Sequence, residues 1–284
     1  MLTNYPSGFA SGISIRGVPL VQTHPGQVFW VGNNTTILPG CVGGSDGNTG
    51  TYQRPFATLD YAVGKCKSNT GDIIFIKPGH AETVSTATAL ALDVAGIAIV
   101  GLGIGTNRPK FTLDTANTAA IGVTAANISI QNCQFFANFL SIAACFTVAA
   151  GAEFTVQNCY FRDTSSVLNF LNIVKSTGAA NTADGLTFNG NTVINLGVTS
   201  NNTTILTAND IDRLTAQGNY LKWAVQNDKA ILAIVTAGVL TNALVTDNVG
   251  YRPNTTTAGG SLINVGGTTR PGGIRNTFVP PVPT

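Results

Sequence analysis

A short phrase returns along the second half of the chain, and a repeat of this length limits the possible folds more than any single motif does. It reads Ile128-Ser-Ile-Gln-Asn-Cys-Gln-Phe135, Phe154-Thr-Val-Gln-Asn-Cys-Tyr-Phe161, Leu186-Thr-Phe-Asn-Gly-Asn-Thr-Val193 and Leu214-Thr-Ala-Gln-Gly-Asn-Tyr-Leu221. A looser copy, Ala243-Leu-Val-Thr-Asp-Asn-Val-Gly250, and a worn one at Ile274–Phe278 follow. With Gln131, Gln157, Asn189, Gln217 and Thr246 taken as equivalent, the intervals are 26, 32, 28 and 29 residues, the length of one solenoid coil. Apolar and polar residues alternate up to an amide-rich bend, and aromatic or branched residues resume beyond it. That pattern predicts two short strands meeting at a corner. A further strand is expected before each copy, at Ile121–Thr124, Cys145–Val148, Leu171–Val174, Thr204–Thr207, Leu232–Thr236 and Leu262–Val265. Coils stacked about 4.8 Å apart form parallel sheets with a continuous inward apolar ladder. The expected fold is all-β, a parallel β-helix.

The strand-like runs Asp72–Gly79, Gly96–Gly101 and Lys110–Asp114 are expected to supply the first coils. Before them, Phe56, Leu59, Val63 and Cys66 fall at helical spacing, which predicts a short amphipathic helix over the open end of the solenoid. Residues 1–43 lack the repeat and are punctuated by Gly and Pro. They read as an N-terminal arm, in which Tyr5, Phe9, Ile15, Val18, Leu20, Phe29 and Trp30 are the candidates for docking on a partner. The expected organisation is therefore an arm at 1–43, a cap region at 44–70, a β-helix at 71–270 and a proline-stiffened tail at 271–284.

Only 10% of the 284 residues are charged and the formal net charge is +2, against roughly a quarter charged in an ordinary soluble domain. Scattered cations of this number argue against nucleic-acid binding, which needs a concentrated basic surface. The most apolar stretch, Ala87–Val100, is too short and too polar to span a membrane. Met1 is not followed by a basic and then apolar leader, so no cleaved signal is expected. The five cysteines, Cys41, Cys66, Cys133, Cys145 and Cys159, have no CxxC spacing and read as free thiols of a protein made in a reducing cytoplasm. Cys133 and Cys159 occupy equivalent repeat positions. They are expected to stack as two small apolar side chains rather than as a disulfide or metal pair.

The segments Gly44-Ser-Asp-Gly-Asn-Thr-Gly-Thr-Tyr-Gln-Arg-Pro-Phe-Ala-Thr-Leu59 and Gly71-Asp-Ile-Ile-Phe-Ile-Lys-Pro-Gly-His-Ala-Glu-Thr83 resemble the pectate-lyase-like right-handed β-helix superfamily, in particular its bacteriophage branch of tailspikes and virion surface proteins. The resemblance covers residues 44 to 280 by fold and repeat, and its motifs mark architecture. It implies a right-handed single-stranded solenoid, a homotrimer, and a place on a virion. The opening segment looks like that of small phage proteins that decorate capsids, which implies the major capsid protein as partner and the outer capsid surface as location. No cofactor is implied.

The superfamily also contains polysaccharide lyases and hydrolases, so a host glycan is the alternative ligand. Glycoside hydrolysis needs paired carboxylates. The best local pair is Asp210 and Asp212, one residue apart and able to share a face, yet Asn209–Asp212 sits between strands, where Asp commonly forms turns. Asp46 lies in Gly44–Gly50, a loop better suited to a turn than to calcium, since it lacks the further acidic ligands. His24 and His80 lie in loop-like contexts with no nucleophile beside them in the sequence. Tyr160, Tyr220 and Tyr251, with Trp223 nearby, fall at or near related repeat positions. They are candidates for a sugar platform or for packing between coils or subunits.

Overall fold

Alternating residues of the repeat form short strands, most of them three to five residues long, and the strands stack as coils. The computed structural model describes residues 14–15, 18–19, 26–35, 37–197, 203–207, 209–223, 233–235, 239–251, 263–265 and 274–279, with the backbone alone for 14–15, 18–19, 233–235, 263–265 and 274–279. Each coil contributes to three faces. Face 1 is built by Val28–Val31, Ile73–Ile76, Ala98–Gly101, Ser129–Gln131, Thr155–Gln157, Thr187–Asn189, Thr215–Gln217 and the first half of Leu244–Tyr251. Face 2 is built by Ala81–Val84, Lys110–Leu113, Gln134–Ala137, Tyr160–Asp163, Thr192–Asn195, Tyr220–Trp223 and the second half of Leu244–Tyr251. Face 3 holds Ala91–Leu92, Ile121–Val123, Phe146–Val148, Asn172–Ser176, Thr203–Thr207, Ala233–Val235 and Ile263–Val265. The pairings along all three faces are parallel, and Ile274–Val279 adds a last rung beside Leu244–Tyr251. The register aligns Gln131, Gln157, Asn189, Gln217 and Thr246, the residues the repeat makes equivalent.

Two corners set the shape of each coil. Between faces 1 and 2 the chain turns at one residue of positive φ: Asn132, Asn158, Gly190, Gly218 and Asp247, at 53° to 65°. Asn, Asp and Gly are the types that tolerate this left-handed conformation. The next residue points inward and is buried in every coil: Cys133, Cys159, Asn191, Asn219 and Asn248. Between faces 3 and 1 the positive-φ position recurs at Gly96, Asn127, Glu153, Gly185, Arg213 and Asn242, and is followed by the buried Ile97, Ile128, Phe154, Leu186, Leu214 and Ala243.

The interior is a set of ladders. Register places Phe111, Phe135 and Phe161 directly on one another, with ring centroids 5.5 and 5.1 Å apart and planes within 19°. Such aromatic pairs add about 0.5–1.5 kcal/mol each beyond the area they bury. Toward the C-terminal coils, the inward corner row changes from thiol to amide. Asn191 Oδ1 accepts the Cys159 N–H at 2.8 Å, Asn219 Oδ1 accepts that of Asn191 at 2.8 Å, and Asn248 Oδ1 accepts that of Asn219 at 3.0 Å. Their Nδ2 groups donate to the carbonyls of Val156, Phe188 and Ala216.

Four expectations change. At its C-terminal end the solenoid runs into the segment assigned to the tail, because Ile274–Val279 pairs with Leu244–Tyr251. The solenoid begins within the segment assigned to the arm, because Val28–Val31 pairs with Ile73–Ile76 as the first rung of face 1. The cap helix spans only Leu59–Val63, with Thr58 as N-cap; Phe56 precedes it, buried and bridged to Val31. Pro55 supplies no N–H and Thr58 caps with its hydroxyl, so the helix starts after Phe56. Lys110–Leu113 is the face 2 strand of the coil that Ala98–Gly101 opens, and the strands Ala81–Val84 and Ala91–Leu92 were not foreseen.

Candidate functional site

Strand pairing brings six apolar side chains together on the outside of face 1 at its N-terminal end. Side chains alternate across a strand. Because Phe29 and Val31 pair with the buried Ile74 and Ile76, Val28 and Trp30 face outward beside Ile73 and Phe75, followed by Ala98 and Val100. Val28 is 45% exposed, and Trp30 lies 5.0 Å from the Phe75 ring and 4.9 Å from that of Tyr52. Ile37 and Val42, on the adjoining loop, are 53% and 47% exposed. Beyond the third rung the same outer rows become Ser129, Thr155, Thr187 and Thr215, and Gln131, Gln157, Asn189 and Gln217. Of the arm candidates, Trp30 therefore belongs to the outer surface, whereas Phe29 faces inward and packs on the core. Ile15 and Val18 are paired residues of two short antiparallel strands. Tyr5, Phe9 and Leu20 lie outside the described residues, as does His24.

Asp210 and Asp212 sit at the corner between faces 3 and 1, and both carboxylates bond to the next coil. Asp210 Oδ1 accepts the Val239 N–H at 2.6 Å; Asp212 Oδ1 accepts the Thr241 hydroxyl at 2.5 Å and the Asn242 amide at 2.8 Å. Those bonds from Thr241 and Asn242 hold the Asp212 carboxyl below its ordinary pKa. Arg213 reaches across two coils to Glu153, Nη1 to Oε1 2.7 Å. Gly185 lies between them: a Cβ there would stand 2.4 Å from the Glu153 carboxyl carbon.

At the N-terminal end a cleft of 580 Å³ is lined by Asn33, Asn34, Thr58, Asp60, Glu82 and Thr83, among others. Glu82 occupies the inward position that Phe111 fills one coil later. Its Oε2 accepts the Leu59 N–H at 3.0 Å and lies 3.1 Å from Nε2 of the buried His80, so it ties the cap helix to the first coil. Asp46 accepts the N–H groups of Ala57 and Thr58 and the Thr58 hydroxyl, fixing the helix start. Among the described residues no group of three metal-ligating side chains occurs, and no helix is long and apolar enough to cross a membrane. Cys133 and Cys159 are free and buried; burial pushes the Cys133 thiol well up and that of Cys159 up to about 12.

Face 2 carries a surface of which the sequence singles out only the tyrosines. Its outward rows read Lys110, Gln134, Tyr160, Thr192, Tyr220 and Thr112, Phe136, Arg162, Ile194, Lys222, Tyr251. Tyr160 and Tyr220 fall in one row, two coils apart, and Tyr251 falls in the other, beneath the Lys222 ammonium at 6.0 Å. Trp223 faces inward and is buried. Arg162 and Lys222 could have been found by counting four residues on from the left-handed corner residues Asn158 and Gly218, whereas Lys110 follows a longer turn through Gly105–Asn107 that breaks the count.

These registers define the class of protein: a three-faced parallel β-helix with an N-terminal cap. No protein-family model matches the chain, and no curated protein matches it. Among solved structures, a rhamnogalacturonan lyase is similar, with a TM-score of 0.48 and 14% identity, covering 80% of this chain and 69% of that chain.

Proposed function

We propose that the protein is a structural part of a bacteriophage virion: a homotrimeric decoration protein that lies on the outer capsid surface and stabilises the major capsid protein beneath it. The observation that carries this reading is the apolar outer block of Val28, Trp30, Ile73 and Phe75 on the first two rungs, with the exposed Ile37 and Val42 on the loop that follows. An apolar surface of this kind on a rigid sheet suits burial against another protein. The resemblance of Gly44–Leu59 and Gly71–Thr83 to phage virion proteins supports the phage setting and the trimer. Parallel ladders with buried amide corners suit a part that must resist unfolding at a shell surface.

A second reading is a short tailspike or fibre that binds or cleaves host-surface polysaccharide, favoured by the outward tyrosines and cations of face 2. Cleavage would fall to Asp210 and Asp212. Cryo-electron microscopy or cross-linking of purified virions tests the first reading, with density expected on the icosahedral head; attachment to the tail alone overturns it. Glycan turnover that disappears in an Asp210→Asn, Asp212→Asn double variant would establish cleavage instead.

A further inference from the structure

We infer that the N-terminal edge of face 2 takes up an extended peptide segment of another protein as an added strand, with a Lys or Arg side chain of that segment seated in the adjoining cleft. The inference goes beyond the virion reading and holds or fails independently of it. A three-faced solenoid opens on three strand edges, and bare edges invite pairing with other chains. The chain covers two of them itself. On face 1, Gly50 O accepts the Trp30 N–H at 2.8 Å, while the Phe56 N–H donates to Trp30 O at 2.8 Å and the Phe56 carbonyl accepts the Gly32 N–H at 3.0 Å. On face 3, the Ala91 N–H donates to Asp60 Oδ1 at 2.9 Å.

Face 2 is the exception. Its first strand, Ala81–Val84, pairs only with Lys110–Leu113 among the described residues. The Lys110 N–H donates to His80 O at 2.8 Å and that of Asp114 to Val84 O at 3.1 Å, so residues 80, 82 and 84 turn their backbone groups toward the ladder. Ala81 and Thr83 therefore point theirs away from it, and both residues are exposed. Their N–H and carbonyl groups form an unpaired row that opens onto the 580 Å³ cleft, whose lining joins Ala81, Glu82 and Thr83 to Thr58 and Asp60 of the cap. Clefts that hold ligands measure about 300–1,000 Å³. Main-chain pairing along such an edge supplies affinity, and side chains at alternate positions supply specificity. The walls set that specificity here. They carry two carboxylates, Asp60 and Glu82, and no Lys or Arg. Asp60 Oδ1 and Glu82 Oε2 serve the N–H groups of Ala91 and Leu59, which leaves Asp60 Oδ2 and Glu82 Oε1 for an incoming cation. A segment with an ammonium or guanidinium at this place is held, and one with a carboxylate is repelled.

The test uses the full-length, isotope-labelled protein in NMR with three end-blocked peptides: Thr-Val-Lys-Val-Thr, the same sequence with Glu in place of Lys, and the Lys peptide with every backbone nitrogen methylated. In the free protein the Ala81 and Thr83 amides should exchange rapidly with solvent, and the Lys peptide should slow both at least about tenfold. The Glu and methylated peptides should bind at least about tenfold more weakly. Thr83→Pro removes one outward N–H without touching the ladder, and should lose about tenfold or more in affinity with the fold unchanged by circular dichroism. Asp60→Asn keeps the oxygen that accepts from Ala91 and should weaken the Lys peptide severalfold, but not the Glu peptide. Slow exchange of both amides in the free protein would show that a second copy or a segment of the same chain already covers the edge, with dilution separating the two, and would overturn the inference. Full affinity of the methylated peptide or of Thr83→Pro, or no binding by any peptide, also overturns it. Equal binding of the Glu peptide, or an unchanged Lys peptide affinity in Asp60→Asn, overturns the cationic partner.

Discussion

Asp163 shows how one residue departs from its row. It stands at the inward position of face 2 that Leu113 and Ala137 fill in the two preceding coils. Its carboxyl accepts the N–H groups of Phe170 at 2.9 Å and Leu196 at 2.7 Å, closing the loop after face 2. Burial nevertheless dominates and pushes its pKa from 3.8 up to about 7, against the lowering effect of those bonds. The folded chain thus holds the proton more tightly than the unfolded chain. Asp163's contribution to stability is fully present below about pH 4 and declines as pH rises to about 7, then stays level. Melting temperature measured across this window should fall with rising pH, and the fall should be clearly shallower in Asp163→Asn. An unchanged slope in the variant would show that other groups govern it.

At the scale of the element, the corner between faces 1 and 2 combines a conformational requirement with a hydrogen-bond requirement, and the two fall on adjacent residues. Asn158 needs only to reach a positive φ, so Asn158→Gly should change stability by less than about 1 kcal/mol. Asn219 is different. Its side chain serves the Asn191 N–H and the Phe188 carbonyl, both buried, at 2.8 and 2.7 Å. Asn219→Ala leaves both without a partner and should cost roughly 2–6 kcal/mol, since each orphaned buried group costs about 1–3 kcal/mol. Urea denaturation midpoints measure the contrast; similar losses for the two variants would mean that the amide ladder adds nothing beyond the turn. The repeat makes this corner visible, because Asn-Cys, Gly-Asn and Asp-Asn recur at one place in the phrase. It does not make the cap equally visible. Phe56 has the helical spacing, yet a proline before it and a capping threonine after it assign it to a bridge instead.

Across the whole molecule, the outer surface of face 1 divides in two: an apolar block on the first rungs and hydroxyl and amide rows on the later ones. In the proposed trimer the apolar block is the natural contact between copies or with the shell, because it removes Trp30 and Phe75 from water at little polar cost. Sedimentation equilibrium should give three times the mass of one chain. A Trp30→Asp, Phe75→Asp double variant, with its solenoid intact by circular dichroism, should shift toward monomer if the block is the contact between copies. A wild-type monomer at micromolar concentration would rule out assembly through this chain alone.

The low charge and the repeat determined a good deal by themselves. Alternation with a period of two fixes which side chains point inward, and the returning amide phrase fixes which residues stack, so Gln131, Gln157, Asn189, Gln217 and Thr246 align as read. Tertiary structure alone decided what meets on the outside of face 2 and of the first rungs of face 1. Lys110, Arg162 and Lys222 are more than fifty residues apart from one to the next, and only the stacking of whole coils sets them on one strip. Val28–Val31 likewise joins the solenoid through a partner strand more than forty residues away. The physical reason is that a strand's inward residues are selected by the core they must fill, which leaves a periodic mark in the sequence. Apart from the amide row that the repeat itself carries, its outward neighbours depend on loop lengths and corner geometry, which leave no such mark.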